Sequence, residues 1–370
     1  MTIQKEGFDF TMKQWLKKWR LLSVFAMLAL VLSGCGKPFL SALKPAGEVG
    51  QQQYDLILLS LGIMALVIVV VVVIFTIIMV RFRRKKGDEN KIPKQVEGSH
   101  VLEIVWTVIP IILLLILAVP TVAATFYQGD VSAMGKKDAD GNPESLVVKV
   151  TAHQYWWEFE YPDLGFVTSQ DLVIPTDEKV YFELESPKNG VKHSFWIPPL
   201  GGKLDTNPDN TNKFWLKVDQ ERANEAGDIF YGKCAELCGP SHAYMDFKVK
   251  PLPKADFDQW VADMQNAEAP QATTDLAQQG EDIFNQSCIT CHAVSTDNGA
   301  PSLAPNLSNF GEREKIAGIL DHTEEDLKKW LKDPEAIKPG NKMTATYPEL
   351  DDNELDALAE YLMGLKVQEK

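Results

Sequence analysis

Two long uncharged runs dominate the pattern of hydrophobic and polar positions along the chain. They extend from Leu56 to Val80 and from Ile104 to Tyr127, over 25 and 24 residues. Each is long enough to cross about 30 Å of hydrocarbon as an α-helix. The pattern therefore predicts transmembrane helices over 56–80 and 104–127. Pro110 and Pro120 lie inside the second run and predict kinks, which a neighbouring helix would accommodate.

The connector between these runs, residues 81–103, is strongly basic. It carries seven Lys and Arg residues, and the positive-inside rule therefore places it in the cytoplasm. Both soluble parts of the chain then lie on the outer face of the membrane. Glu103 begins the second run, where the helix dipole favours a carboxylate, so a purely interfacial role is one interpretation of this residue.

A shorter apolar run lies near the amino terminus. Four basic residues within 13–20 precede the uncharged residues Leu21 to Leu32, a 12-residue stretch that is short for a membrane span. The run ends in Leu-Ser-Gly-Cys at 32–35, which resembles a bacterial lipoprotein signal. The resemblance implies cleavage before Cys35, lipidation of its thiol and loss of residues 1–34. Residues 35–55 would then form an exported segment; an uncleaved signal anchor is the alternative.

From Ser145 the pattern changes to short runs rich in β-branched and aromatic residues, separated by Pro, Gly, Asn and Asp. The predicted strands are Leu146–Thr151, Trp156–Tyr161, Lys179–Leu184, Phe214–Val218, Ile229–Lys233 and Phe247–Lys250. This spacing is typical of an all-β sandwich or barrel. We expect one such domain over residues 128–252.

The charge of the chain is distributed unevenly. Residues 1–100 hold 14 Lys and Arg against 7 Asp and Glu, whereas residues 101–370 carry a net charge of −21. A basic membrane-proximal part and an acidic exported body fit a membrane protein. Nucleic acid is excluded as a partner of the acidic part, which would repel phosphate.

Residues 234–245 concentrate soft metal ligands in one short loop. The side chains are Cys234, Cys238, His242 and Met245, spaced four, four and three residues apart. Sulfur and imidazole together favour copper, and zinc sites prefer a C-x2-C spacing. A local disulfide between the two cysteines is the alternative. The loop holds too few ligands for two metals, and His193, upstream, would complete the set.

A second cofactor motif follows at 288–292. Cys288, Cys291 and His292 form C-x-x-C-H, the attachment sequence for c-type haem, in which the histidine binds iron. A redox or zinc C-x-x-C is the alternative. Met343 lies in a loop with turn residues and is the expected sixth ligand, whereas Met363 lies on a helical run and is expected in the core.

The two soluble domains are separated by a stretch rich in Ala, Gln, Asp and Pro. We expect a linker over 253–274, with helical turns flanking residues 267–274, and a haem domain over 275–370. A flexible linker of about 20 residues would keep haem and copper at an effective concentration near the millimolar range. A weak encounter surface between the domains would then suffice.

The copper loop, the segment His-Ser-Phe-Trp-Ile-Pro at 193–198 and the two spans resemble subunit II of haem–copper cytochrome c oxidases, over roughly residues 50–252. The resemblance implies a cupredoxin-like domain with two coppers bridged by Cys234 and Cys238. His193 and His242 would each bind one copper. The weak ligands it implies are Met245 and the backbone carbonyl of Glu236.

Two further roles are implied by this resemblance. The Glu236 side chain would reach a magnesium ion at the boundary with the catalytic subunit, and Glu103 would match a glutamate at the mouth of a proton pathway. Tyr155, Trp156 and Trp157 resemble the family's aromatic segment near copper. Tyr155 stands where the family has the tryptophan that receives electrons from soluble cytochrome c. The aromatics are equally interpreted as strand core.

The carboxy-terminal part resembles a small all-α class I cytochrome c. The matching residues are Gly280, Phe284, Leu358 and Tyr361, together with Pro305, whose carbonyl would orient the axial histidine. The chain as a whole is thus expected to be the oxidase subunit that passes electrons from haem c to copper and on to a haem–copper subunit I in the bacterial plasma membrane. The donor would be a cytochrome c or a quinol–cytochrome c reductase.

Other functions remain open at this point. A nitric oxide reductase subunit would present the same features, and a free-standing lipoprotein that shuttles electrons or stores copper would need neither Glu103 nor a kinked second span. A quinol oxidase subunit is disfavoured because that branch lacks the copper ligands. Nitrous oxide reductase is disfavoured by the two spans. Oxygen reduction itself is expected on a partner subunit.

Overall fold

A computed structural model describes residues 23–28, 37–83, 92, 95–267, 272–296 and 303–367. The chain divides into two compact units, residues 1–37 and 38–370. Residues 23–28 of the first unit are helical, and Cys35 and most of the predicted signal lie outside the described residues. The second unit holds two long helices, a β-sandwich and a small helical domain.

Helices α1 (Glu48–Arg81) and α2 (His100–Gln128) are long and apolar enough to cross a membrane. Their side chains are exposed over almost their whole length, so lipid or other protein chains must cover them. The amino-terminal end of α1 touches the carboxy-terminal end of α2: the Tyr127 hydroxyl donates a hydrogen bond of 2.5 Å to Glu48. The prediction of two spans and a fold with two soluble domains is therefore confirmed.

Helix α1 begins before the apolar run, inside the segment predicted as exported. Its first turn packs against the sandwich, where the Gly50 amide donates to the carbonyl of Leu200 at 2.9 Å. A Cβ on Gly50 would lie 2.6 Å from the carbonyl oxygen of Pro199. The absence of a side chain at Gly50 is what allows the helix to approach the copper domain so closely. The amino-terminal end of α1 is therefore in direct contact with that domain.

The sandwich contains ten strands. They are β1 (Leu146–His153), β2 (Trp156–Tyr161), β3 (Phe166–Ser169), β4 (Asp171–Pro175), β5 (Lys179–Glu185), β6 (His193–Ile197), β7 (Gly201–Thr206), β8 (Asn212–Lys217), β9 (Phe230–Cys234) and β10 (Asp246–Leu252). One sheet has the order β3-β2-β1-β5-β8 and the other the order β4-β10-β9-β6-β7. The pairs β1–β5 and β4–β10 are parallel, and the remaining pairs are antiparallel. A short helix α3 (Gln220–Ala226) connects β8 to β9.

Aromatic rings fill the space between the two sheets. Phe247 is central: its ring centroid lies 4.8 Å from that of Phe195 and 5.1 Å from that of Trp157. Gly232 on β9 lies beside it, and a Cβ there would meet the Phe247 ring at 2.0 Å. The glycine thus leaves the space that the ring occupies, and the aromatic cluster lies directly beneath the loop that follows β9.

The predicted linker begins with an ordered helix. Helix α4 (Lys254–Gln265) packs on the sandwich through Phe257, Trp260 and Met264, all buried. This helix lies beside residues 267–274, where the sequence predicts flanking helical turns, and its buried side chains, spaced three and four residues apart, form one helix face. Residues 268–271, within the rest of the predicted linker, are outside the described part of the chain.

The haem domain is built from α5 (Asp275–Ser287), α6 (Glu324–Lys332), α7 (Pro334–Ile337) and α8 (Asp352–Met363), with a two-stranded pair, β11 (Lys315–Ile316) and β12 (Leu320–Asp321). Helices α5 and α8 cross at Gly280, where a Cβ would lie 2.0 Å from the carbonyl oxygen of Ala357. Phe284 and Tyr361 pack beside the crossing with ring centroids 5.5 Å apart. The crossing brings the Cys288 end of α5 into the domain core.

Candidate copper and haem sites

Strand pairing explains how His193 reaches the loop 234–245. Strand β6 begins at His193 and pairs with β9, which ends at Cys234, with Phe195 opposite Cys234 in the register. The Ala235 amide then donates to the Ser194 carbonyl at 2.9 Å. Residues 41 positions apart in sequence are thus held side by side by a sheet, and the sequence pattern did not predict β6 as a strand.

The predicted copper ligands form one compact cluster. Cys234 Sγ lies 3.9 Å from His193 Nδ1 and 3.9 Å from Cys238 Sγ. Cys238 Sγ lies 3.7 Å from His242 Nδ1 and 3.8 Å from Met245 Sδ. The backbone oxygen of Glu236 lies 3.2 Å from Cys234 Sγ. The two sulfurs are thus central, with an imidazole next to each.

The distance between the two sulfurs excludes a disulfide in this structure, because a disulfide bond is about 2.05 Å long. Both thiols are free and buried. The hydrogen bond that the two sulfurs share is the largest effect on both thiols: it lowers the pKa of Cys234 and raises the pKa of Cys238. A bound cation would favour the deprotonated form of both sulfurs.

Backbone hydrogen bonds fix the remaining ligands of the loop. His242 begins a short 3-10 turn over His242–Tyr244, closed by the Met245 amide, which donates to the His242 carbonyl at 3.2 Å. The Met245 carbonyl accepts from the indole nitrogen of Trp157 at 3.3 Å. Met245 is fully buried, whereas Glu236 is exposed. The Glu236 side chain therefore faces away from the sulfur cluster, toward the surface.

The three aromatic residues differ in their surroundings. Trp157 is fully buried in the sandwich core, while Trp156 stacks on His153 at a ring-centroid distance of 4.1 Å. Tyr155 is buried against the copper loop, with its hydroxyl 2.3 Å from the position of a Cβ on Gly239. Trp157 is thus strand core, and Tyr155 lies against the metal loop.

The C-x-x-C-H motif follows directly after helix α5. Cys288 caps the helix, and the His292 amide donates to the Cys288 carbonyl at 3.0 Å. The His292 Nδ1 lies 2.8 Å from the carbonyl oxygen of Pro305, which leaves Nε2 available for a metal. Burial lowers the pKa of His292, which favours the neutral, ligating form. Burial also raises the pKa of Cys288 to about 11, so this sulfur is a protonated thiol at neutral pH.

The two candidate methionines occupy different kinds of structure. Met343 lies in a loop, where its amide donates to the Asn341 side chain at 2.9 Å, and packs partly buried on the haem-domain core. Met363 ends helix α8 and is also only partly buried. The structure thus places Met343 in the turn-rich loop that the sequence indicated.

Glu103 lies on the first turn of α2 and is exposed. Its Oε2 atom lies 3.2 Å from His100 Nδ1.

Comparisons with known proteins identify the family. The transmembrane domain of cytochrome c oxidase subunit II matches residues 45–123, its periplasmic domain matches residues 146–252, and cytochrome c matches residues 277–366. The cytochrome c oxidase subunit 2 of Bacillus sp. (strain PS3) is 63% identical over 360 residues, covering 96% of this chain and 100% of that protein. The chain belongs to the cytochrome c oxidase subunit 2 family.

One further relative and one solved structure are also similar to this chain. The cytochrome c oxidase subunit 2 of Bacillus subtilis (strain 168) is 56% identical over 358 residues, covering 96% of this chain and 99% of that one. The crystal structure of the periplasmic domain of a cytochrome oxidase subunit II from Bradyrhizobium japonicum is 27% identical, covers 35% of this chain and 95% of that one, and has a TM-score of 0.29.

Family membership confirms the main predictions. The chain is a membrane-anchored cytochrome c oxidase subunit II with a fused cytochrome c domain, and it takes part in electron transfer in a complex with other subunits. The subunit II domain implies copper and the cytochrome c domain implies haem. The donor atoms described above fit both: soft sulfur and imidazole for copper, and a paired-thiol and imidazole motif for haem.

One feature of the subunit was not predicted from sequence. The haem domain lies directly against the copper domain, and polar groups of both are buried where they meet. Ser241 Oγ donates to the carbonyl of Pro339 at 2.6 Å, and the Asn306 amide donates to Ser169 Oγ at 3.0 Å. A single serine hydroxyl that bonds to a distant backbone group belongs to no recognisable sequence motif, so no local signal in the sequence predicts this contact.

Proposed function

We propose that this subunit takes electrons at a covalently bound haem c and passes them to a dicopper centre. From there they would continue to a haem–copper catalytic subunit that reduces O2 to water and translocates protons. The observation that carries the proposal is the cluster of two sulfurs, two imidazoles and one thioether, linked by distances of 3.7–3.9 Å. Two metals sharing two thiolates need a donor set of this kind.

The chain's residues would divide the work at the copper centre. Cys234 and Cys238 would bridge the ions, His193 and His242 would each bind one, and Met245 and the Glu236 carbonyl would be weak ligands. Bound copper supplies a one-electron carrier in which charge is shared over two metals and two sulfurs. Burial of the cysteines and Met245 excludes water from the cluster. Strand β6 and the 3-10 turn hold the imidazoles rigidly, so few atoms need to move when the charge changes.

At the haem, Cys288 and Cys291 would form the thioethers, and His292 and Met343 would be the axial ligands. The Pro305 carbonyl holds His292 in one tautomer and orientation. A thioether ligand raises the haem potential. Haem supplies the second one-electron carrier of the subunit.

Other assignments rest on the resemblance and on charge. The exposed Glu236 carboxylate would reach magnesium at the boundary with the catalytic subunit, and Glu103 would stand at the mouth of a proton pathway. The basic connector would be cytoplasmic and both soluble domains would lie outside, with Cys35 lipidated. The exposed faces of α1 and α2 support a large membrane partner. The donor would be a cytochrome c or a quinol–cytochrome c reductase.

Copper and covalent-haem analysis of the purified subunit, separated from the haem–copper catalytic subunit, tests the metal assignments. Replacing Cys238 by Ala should abolish bound copper while leaving covalent haem unchanged, since the two sites lie in different domains. The matched control is Leu237→Ala: this neighbour in the same loop is 78% exposed and contributes no donor atom. Full copper in Cys238→Ala would refute the proposed centre.

Purification in mild detergent tests the oxidase assignment. Recovery together with a large haem-containing membrane subunit, and oxygen uptake with a reduced donor, are expected. Turnover of nitric oxide in place of oxygen would instead favour the reductase. Recovery of the chain alone would favour the electron-shuttle lipoprotein.

A further inference from the structure

The copper domain touches the haem domain at both segments that carry proposed axial ligands. On the histidine side, Ser169 Oγ accepts from the Asn306 amide at 3.0 Å, and the Val167 amide donates to the Thr296 carbonyl at 3.1 Å. On the methionine side, Ser241 Oγ donates to the Pro339 carbonyl at 2.6 Å. Ser169 and Ser241 are both fully buried.

The histidine-side contact lies one residue from the group that orients His292. Pro305 accepts from His292 Nδ1, and Asn306 follows it in the chain. The Asn306 side chain donates to the Ser295 carbonyl at 2.6 Å, and the Arg313 guanidinium donates to the Asn306 carbonyl. The segment that Ser169 binds is thus held on three sides, so it cannot shift without disturbing its neighbours.

The methionine-side contact is connected to Met343 by a short chain of hydrogen bonds. The Asn341 amide donates to the Lys338 carbonyl at 3.2 Å, and the Asn341 side chain accepts from the Met343 amide at 2.9 Å. Pro339, the partner of Ser241, lies within this turn. Gly340 faces the copper loop: a Cβ there would lie 3.5 Å from Pro240 and 3.6 Å from the Tyr155 hydroxyl.

Charged groups surround the histidine-side contact. Lys250 of the copper domain lies 3.2 Å from Asp171 of the same domain and 3.0 Å from Glu314 of the haem domain. The Glu314 amide donates to Asp171 at 3.1 Å, and Lys248 donates to the Gly318 carbonyl at 3.4 Å. Buried polar groups that are paired across an interface favour one orientation, because any other leaves them unpaired.

We propose that Ser169 and Ser241 are positioning residues that seat the haem domain on the copper domain in one fixed orientation, so that haem-to-copper electron transfer occurs without a diffusive encounter. This proposal rests on the proposed electron relay. Seating also explains why Tyr155 can replace the tryptophan that receives electrons from soluble cytochrome c. Gly340 of the chain's own haem domain covers the surface around Tyr155 that a soluble donor would use. External donors must then deliver electrons at the haem.

The test is flash reduction of haem in the complete oxidase, with copper reduction followed optically at increasing solvent viscosity. A seated domain predicts a wild-type rate that is independent of viscosity. Ser169→Ala leaves the buried Asn306 amide unpaired, which should lower the ratio of seated to unseated domain by about tenfold and make the transfer viscosity-dependent. Ser169 is the better target because it lies outside the copper loop, whereas Ser241 adjoins His242.

The matched control is Ser186→Ala. Ser186 is also a buried serine of the copper domain, but its hydroxyl donates to Thr206 within the sandwich, so the rate should match the wild type. A wild-type rate that falls in proportion to viscosity, or equal rates in Ser169→Ala and Ser186→Ala, would overturn the seating proposal alone. No copper reduction in a chain loaded with both cofactors would overturn the relay as well.

Discussion

The crossing of helices α5 and α8 at Gly280 provides a sharp test of the haem-domain fold. In Gly280→Ala the new Cβ would lie 2.0 Å from the Ala357 oxygen and 2.6 Å from its carbonyl carbon. Both are backbone atoms that cannot rotate away, so the helices must separate by about 1.4 Å to reach ordinary contact at 3.4 Å. Separation would loosen the Phe284–Tyr361 contact at the same crossing.

The magnitude follows from two opposing effects. Overpacking a core costs about 1–3 kcal/mol, and a clash between backbones belongs at the upper end. Alanine gains about 1 kcal/mol over glycine in a helix, which leaves a net loss of about 2 kcal/mol. A domain of this size loses about 4–8 °C in melting temperature per kcal/mol, so we expect a decrease of about 8–16 °C.

Thermal unfolding of the purified subunit, followed by haem absorbance, measures this change. Gln279→Ala is the control, since Gln279 is exposed on the same helix and its replacement should change the melting temperature little. A Gly280→Ala protein that melts with the wild type would show that the two helices do not cross at this glycine.

Three further predictions concern the haem ligand, pH and lipidation. Met343→Leu should lower the haem potential sharply in a redox titration, whereas Met363→Leu should not; the reverse result would identify Met363 as the ligand. Burial lowers the pKa of Lys248 to about 8 from its usual 10.5. Between these two pH values the Lys248 amine is therefore mostly neutral in the folded protein and mostly protonated in the unfolded chain. The free energy of unfolding should therefore rise between pH 8 and 10.5, by at most about 1.4 kcal/mol per pH unit for this group. In denaturant titrations, Lys248→Met should flatten this rise. An unchanged slope would contradict Lys248 as the source of the pH dependence. Cys35→Ser should abolish labelling by radioactive fatty acid, and persistent labelling would exclude lipidation at this residue.

The sequence predicted those parts of the protein whose signal lies within one short stretch of the chain. The two spans, the copper loop and the haem motif each lie within one continuous stretch. Strands β3, β4, β6 and β7 were not predicted because each is short, with four to six residues; β7 even begins with two glycines. His193 was predicted as a ligand because the loop holds too few ligands for two metals and because of the family resemblance, but the strand that carries it was not predicted.

The relation between the two soluble domains could not be predicted from the sequence. Ser169 and Asn306 are 137 positions apart, and a serine hydroxyl that meets a backbone amide leaves no pattern in the chain. The same holds for Lys250, whose partners Asp171 and Glu314 come from different domains. The sequence favoured a tethered haem domain with a weak encounter surface. The structure places it in direct contact.

The position of β3 has a consequence for how this subunit matures. Strand β3 is the outermost strand of its sheet, and the Val167 amide on its open side is capped by Thr296, which the ribosome adds much later. Until the haem domain is made and folded, the copper domain presents an uncapped sheet edge, the kind of surface through which chains pair with one another. Folding of the carboxy-terminal domain thus bears on the solubility of the copper domain: a chain whose carboxy-terminal domain fails to fold is expected to self-associate through β3.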